Sequence, residues 1–159
     1  MSTLMQANRQ WASRPSDERF TSLAEMHAKT LELRNHSRSV VISNRQIEVQ
    51  PVEIDGVLDH KALQIVGPSG QPYAPTHHAF NQLARLVSAP AGYLRGLPSP
   101  IAADCLNVGL RFNRDVEDAG LLLRKNGEST LAAVTGPNYG RIWNSDVVGA
   151  AREKFEGSP

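Results

Sequence analysis

The residues of this chain best equipped for chemistry are its arginines and aromatics. Arg85, Arg95, Arg124, Lys125 and Arg141 are cations suited to phosphate oxygens, while Tyr93, Tyr139 and Trp143 offer flat faces on which bases stack. Proteins that hold single strands combine these two features, each stacked base being worth ~1–3 kcal/mol. Thirteen arginines stand against four lysines, and a guanidinium binds phosphate and stacks on rings better than an ammonium does. Each residue also has a plain structural use, Tyr93 and Trp143 as half-buried core, so only clustering in the fold would make the set a site.

Other chemistry is poorly supplied. There is no glycine-rich loop ending in Gly-Lys-Ser/Thr, no Gly-x-Gly-x-x-Gly and no Gly-x-Ser-x-Gly elbow, which sets aside P-loop, dinucleotide and nucleophile-elbow chemistry. His77 and His78 are adjacent on a predicted helix, about 100° apart, with neither Glu nor His four residues on, and read as first-turn polar residues rather than metal ligands. His27, His36 and His60 are scattered. His60 with Asp59, Asp55 and Glu53 is the best metal or acid–base group, but a solvated acidic turn accounts for the same residues. Arg14, Asp17, Glu18 and Arg19 crowd the turn before the first helix, where helix-terminus electrostatics explain them. Cys105 falls on the apolar side of a predicted helix and is expected as a small buried residue. No catalytic residue, metal or cofactor is expected.

The elements that must position these residues follow from periodicity. Ser22-Leu23-Ala24-Glu25 has capping-box spacing and opens a helix over about 22–35. Ser39–Ser43, then Ile47–Ile54 broken by Pro51, then Lys61–Val66 and a short segment ending at Tyr73 read as strands, with turns at Asn44-Arg45, Asp55-Gly56 and Gly67–Gly70. Thr76 caps a helix burying Ala79, Phe80, Leu83, Ala84 and Val87. Pro90 ends it, Tyr93–Leu97 adds at most one turn, and Ser99-Pro100 opens a third helix with Ile101, Cys105, Leu106, Val108 and Leu110 inward. After a polar connection at 113–118, Leu121–Lys125 and Ser129–Val134 flank Asn126-Gly127, a hairpin signal. A last helix starts at Asn144-Ser145-Asp146, with Val147, Val148, Ala151 and Phe155 inward. The sum is an α+β fold: an antiparallel β-meander and a hairpin packed with three to five helices, in a single domain over 22–157 after a tail and turn at 1–21 in which Trp11 is an anchor.

At 40% hydrophobic and 21% charged, the composition is that of an ordinary globule large enough to bury a core. One cysteine excludes an internal disulfide, no apolar run approaches the ~20 residues of a membrane helix, and MSTLMQANRQW lacks a secretory apolar segment; the expected compartment is the cytoplasm. The net charge of +1 is segregated: seven Lys/Arg against four Asp/Glu over 1–45, four acids and no base over 46–60, five bases against one acid over 61–114, and five against seven over 115–159. The first and third blocks would make a basic face if the fold joins them.

The run FNQLARLVSAPAGYLRGLPSPIAADCLNVGL resembles the central motif of a family of phage- and plasmid-like proteins, domain of unknown function 932. WASRPSDERFTSL resembles the N-terminal signature of one branch, and GPNYGRIWNSDVV extends the similarity over most of the chain. The resemblance implies a protein of a phage, plasmid or other mobile element, and the N-terminal portion or a short version of a longer family member. With the basic and aromatic set it gives the leading expectation, a non-catalytic module binding nucleic acid, single-stranded DNA in particular, with annealing-like strand pairing as a homo-oligomer and no membrane partner. The alternatives are a protein-interaction or counter-defence factor that contacts a host protein through the acidic 46–60 block, and an enzyme built on Asp55, Asp59 and His60 or on Arg14, Asp17 and Glu18.

Overall fold

The structure, a computed structural model, describes residues 19–112 and 117–156. Trp11, the Arg14–Asp17–Glu18 cluster, the connection at 113–116 and the terminal Gly157-Ser158-Pro159 lie outside the described residues. Among the described residues the fold is α+β, with five α-helices and a six-stranded, mostly antiparallel sheet. The chain forms two compact units, one from the residues up to Asn35 with those from Arg141 onward, the other from His36 to Gly140.

The first unit pairs helix α1 (Leu23–Asn35) with helix α5 (Asn144–Glu156). The α1 start obeys its sequence signature in modified form. Ser22 Oγ accepts the Glu25 N–H at 3.1 Å, and the Glu25 carboxylate accepts both the N–H and the hydroxyl of Thr21, each at 3.0 Å. Those two donors hold the Glu25 carboxyl below its ordinary range. The helices approach closely at Gly149, where an added Cβ would lie 3.2 Å from His27 Nε2. Val148 is buried as expected, but Val147 and Phe155 are exposed. The buried positions Ser145 and Val148 orient α5. Val147 then points off that face, and Phe155, in the last turn, is exposed.

The second unit contains the sheet, in the order β1-β5-β6-β4-β3-β2, from β1 (Ser37–Ser43), β2 (Glu48–Ile54), β3 (Val57–Val66), β4 (Pro72–Pro75), β5 (Asp118–Asn126) and β6 (Glu128–Thr135). Asp55 and Gly56, at φ +53° and +77°, make the left-handed reversal of the β2–β3 hairpin, and Gly127 at +76° makes that of β5–β6. The expected meander is real only for β2-β3-β4. The first strand pairs with β5 instead, Val40 opposite Leu121, and β4 meets β6 in parallel at Ala74 and Thr130. The reason is at Asn44–Gln46, a 3-10 turn rather than a hairpin turn, whose buried Asn44 donates its N–H to Glu117 O at 2.8 Å.

This topology forces the sheet to coil. Five strand spacings put the two edges ~24 Å apart in a flat sheet, yet Ser43 to Glu48 spans at most ~18 Å of chain. The sheet must therefore curl as well as twist, until the end of β1 lies within reach of the start of β2. The same curling brings Gly67, after β3, near β1: a Cβ added there would lie 3.8 Å from Ile42 Cδ1.

Helices α2 (His77–Leu86), α3 (Ala91–Gly96) and α4 (Ser99–Phe112) complete the unit, α2 packing on β6 and α4 on β2 and β3. The core joins Phe80, Leu83, Leu94, Leu106, Leu110, Leu121 and Leu131. α4 corrects the expected inward face. Ala102, Ala103, Leu106 and Leu110 are buried, whereas Ile101, Cys105, Val108 and Phe112 form a second apolar stripe that is exposed. Two contacts set the rotation. A Cβ on Gly109 would stand 2.5 Å from Val87 Cβ, so that side must face the core, and Asn107 bonds the edge of β2.

Candidate functional site

The proline-bounded elbow gathers part of the basic and aromatic set. Thr76 Oγ accepts the Ala79 N–H at 3.1 Å to start α2, and its hydroxyl donates to Ala132 O at 3.1 Å, tying the helix start to β6. Ala79, Phe80, Leu83 and Ala84 are buried beneath. After Pro90, α3 folds back with Leu94 buried, which brings Arg95 onto the first turn of α2. Its Nη2 donates to His77 O at 3.1 Å and to Asn81 Oδ1 at 2.8 Å, and its guanidinium lies 4.7 Å from the centroid of the Phe80 ring. A guanidinium has five N–H donors. Among the described residues no hydrogen bond is formed by its Nε or Nη1, so three donors of this exposed side chain are left over.

Arg95 stands at a cleft of about 450 Å³ lined by Lys61, Leu63, Thr76, His77, Phe80 and Leu97, among others. Its walls are largely apolar and its cations are Lys61 and Arg95. Residues 61–103 contain no Asp or Glu, so this stretch has no carboxylate of its own to neutralise them. Tyr93, on the same short helix, is 66% exposed. Arg85 is exposed in the last turn of α2, continuing the i, i+4 row His77–Asn81–Arg85 that Arg95 grips. Three of the eight expected residues, Arg85, Tyr93 and Arg95, therefore share the elbow.

The others belong to other elements of the fold. Arg124 is half-buried and Lys125 exposed at the end of β5, where the Lys125 N–H donates to His36 O. Tyr139 is exposed in the loop after β6, its N–H turned back to Gly136 O at 3.2 Å. Arg141 and Trp143 belong to the first unit. Trp143 is half-buried, with Arg34 at 5.2 Å and Arg141 at 5.6 Å from its ring centroid. Arg34 also donates to Ser145 Oγ at 3.3 Å and pairs with Asp146.

Lys61, His77 and Phe80 were not singled out as binding residues by their sequence context. Phe80 has the spacing of a core residue and His77 serves through its backbone carbonyl, which no side-chain pattern reports. The acidic turn has a local explanation: Asp59 Oδ1 accepts the N–H of Lys61 at 2.8 Å and of Ala62 at 3.1 Å, and Asp59 O accepts the buried Ser99 hydroxyl at 2.6 Å. That last bond ties the start of α4 to β3. Among the described residues no three His, Cys, Asp or Glu side chains converge as a metal set, and no helix is long and apolar enough to cross a membrane. No family model matches the chain, nor does any curated protein or solved structure.

Proposed function

We propose that this is a non-catalytic nucleic-acid-binding protein of a phage, plasmid or other mobile element, and that it holds a single strand at the α2–α3 elbow. The observation that carries the reading is Arg95, fixed by His77 and Asn81 and stacked on Phe80 at the mouth of an apolar cleft, with three donors left over. A cation already fixed in place loses little side-chain entropy when it takes a phosphate. Lys61 in the lining of the same cleft and Arg85 one turn beyond Asn81 on α2 extend the backbone track, and the exposed face of Tyr93 serves a base. The resemblance of the elbow's sequence to the phage- and plasmid-like family supports the proposed source, and the segregated positive charge of 61–114 supports phosphate over a neutral ligand.

Fluorescence anisotropy with labelled single- and double-stranded oligonucleotides across a salt series tests the reading. Phosphate neutralisation gives log K falling linearly with log salt at ~0.7 per contact for a single strand. Replacing Arg85 and Arg95 together by alanine lowers affinity and makes the slope shallower by about two contacts' worth. Absence of binding at low salt overturns the proposal, as does an unchanged slope in the folded double variant.

A further inference from the structure

The two edges of the six-stranded sheet are treated differently. On β2 the Val49 N–H donates to Asn107 Oδ1 and the Val49 C=O accepts from Asn107 Nδ2, both at 2.8 Å, so a side chain from α4 occupies the outward backbone groups of that residue. Strand alternation makes Pro51 the next outward-facing position, and it has no N–H; a register shift follows between Pro51 and Val52. This edge is closed to further strands.

On the β1 edge Gln46 Oε1 covers the Ser43 N–H at 3.3 Å, but among the described residues no side chain covers Ser39 or Val41 in this way, and the strand contains no proline. It pairs with β5 without a register shift from Ser37 to Ser43. The Lys125 N–H donates to His36 O and the Asn44 N–H to Glu117 O, so even-numbered positions face β5. Ser39 and Val41 therefore aim their N–H and C=O groups away from the sheet, and among the described residues no strand receives them. Val41 is 55% exposed.

We infer that β1 is an association edge whose partner is β1 of a second copy of this chain, antiparallel about Val40. In that register Ser39 of each copy meets Val41 of the other, so the outward N–H and C=O groups of Ser39 and Val41 are hydrogen-bonded and the Val40 residues face across the axis. Charge supports this partner. Within the β1–β5 ribbon the basic residues Arg38, Arg124 and Lys125 lie at one end and Asp118 at the other, opposite Ser43. A two-fold antiparallel pairing sets the basic end of each ribbon beside the acidic end of its copy and places Arg38 opposite Ile42 rather than opposite itself. Because both β2 edges are closed, association stops at two copies.

Sedimentation velocity of the full chain over a concentration series tests this. The expected result is a concentration-dependent shift from monomer to dimer, with nothing larger. Ser39→Pro removes an outward N–H without touching the β5 ladder, the device that β2 itself uses at Pro51, and Val41→Lys adds a charge to the edge. Both are expected to leave the circular-dichroism spectrum unchanged and the protein monomeric. A wild type that stays monomeric at the highest concentration overturns the proposal. So does a dimer that survives Val41→Lys but dissociates on Val108→Lys, which would assign the interface to the exposed stripe of α4. Concentration-independent hydrogen-exchange protection at Ser39 and Val41 also overturns it, since another part of the same chain would then cover the edge.

Discussion

Among the described residues two places put a guanidinium over an aromatic ring, and they do opposite things. At Trp143 the cations of Arg34 and Arg141 cover the ring, Arg34 is further held by Ser145 and Asp146, and a carboxylate balances part of the charge. At Phe80 a single cation, Arg95, is fixed by neutral oxygens with donors to spare, in a stretch without carboxylates. The residue types are alike. What distinguishes a ligand site from a structural clamp is whether the cation's charge and donors are already satisfied within the fold.

The largest expected effect comes from breaking the clamp. Trp143→Ala should lower stability by about 2–3 kcal/mol, below the full range for aromatic truncation because the ring is half-buried. It should leave oligonucleotide affinity at the elbow unchanged. Urea unfolding followed by circular dichroism, with anisotropy on the same samples, separates the two. A variant that keeps its stability but loses binding would reverse the assignment of roles.

The elbow should respond the other way. Tyr93→Ala, at an exposed position, should cost less than about 0.5 kcal/mol in stability while weakening single-strand affinity by ~1–3 kcal/mol, the worth of one stacked base. Arg95→Lys should retain a charge yet lose most of the affinity, because an ammonium cannot hold the His77 and Asn81 oxygens and present a planar fork at once. Arg34→Ala is the matching test in the clamp. Its ion pair with Asp146 is substantially exposed, at 39% and 55% of side-chain area, so the pair is worth little, and with the cation–π contact the loss should be only ~1 kcal/mol in stability. A change in the salt slope of binding with that variant would mean that the first unit also touches the ligand.

The sequence announced those elements whose cause is local. Thr76, the Ala79–Phe80–Leu83–Ala84 spacing, Asp55-Gly56 and Asn126-Gly127 each determine their own few residues and were legible. The partner of β1 was not, because it depends on how far the sheet coils, a property of six strands together. The face of α4 was ambiguous for another reason. Two apolar stripes share that helix, and the choice rests on Gly109 meeting Val87 and Asn107 reaching Val49, contacts 22 and 58 positions apart in the chain. Cys105 was misplaced as a consequence. Residue type and chain position placed Arg85, Tyr93 and Arg95 on one elbow, whereas nothing near Trp143 in the chain reveals that Arg34 will cover its ring.

The smallest effect lies at the start of α1 and concerns pH. The Glu25 carboxyl is held below its ordinary value near 4.5, first by the Thr21 N–H and then by the Thr21 hydroxyl. A depressed folded-state value means that the unfolded chain binds the proton more readily, so the contribution is fully present above about pH 4.5 and fades as pH falls through the lower, folded-state value. Glu25→Gln keeps the shape but loses the charge that attracts both donors. The stability difference between wild type and this variant should therefore be constant from pH 7 to 5 and shrink below about 4.5. It should be small at every pH, because the group is fully exposed to solvent. A difference that grew on acidification would mean that Glu25 is held in its protonated form instead, and that the α1 start is fixed by something other than this carboxylate.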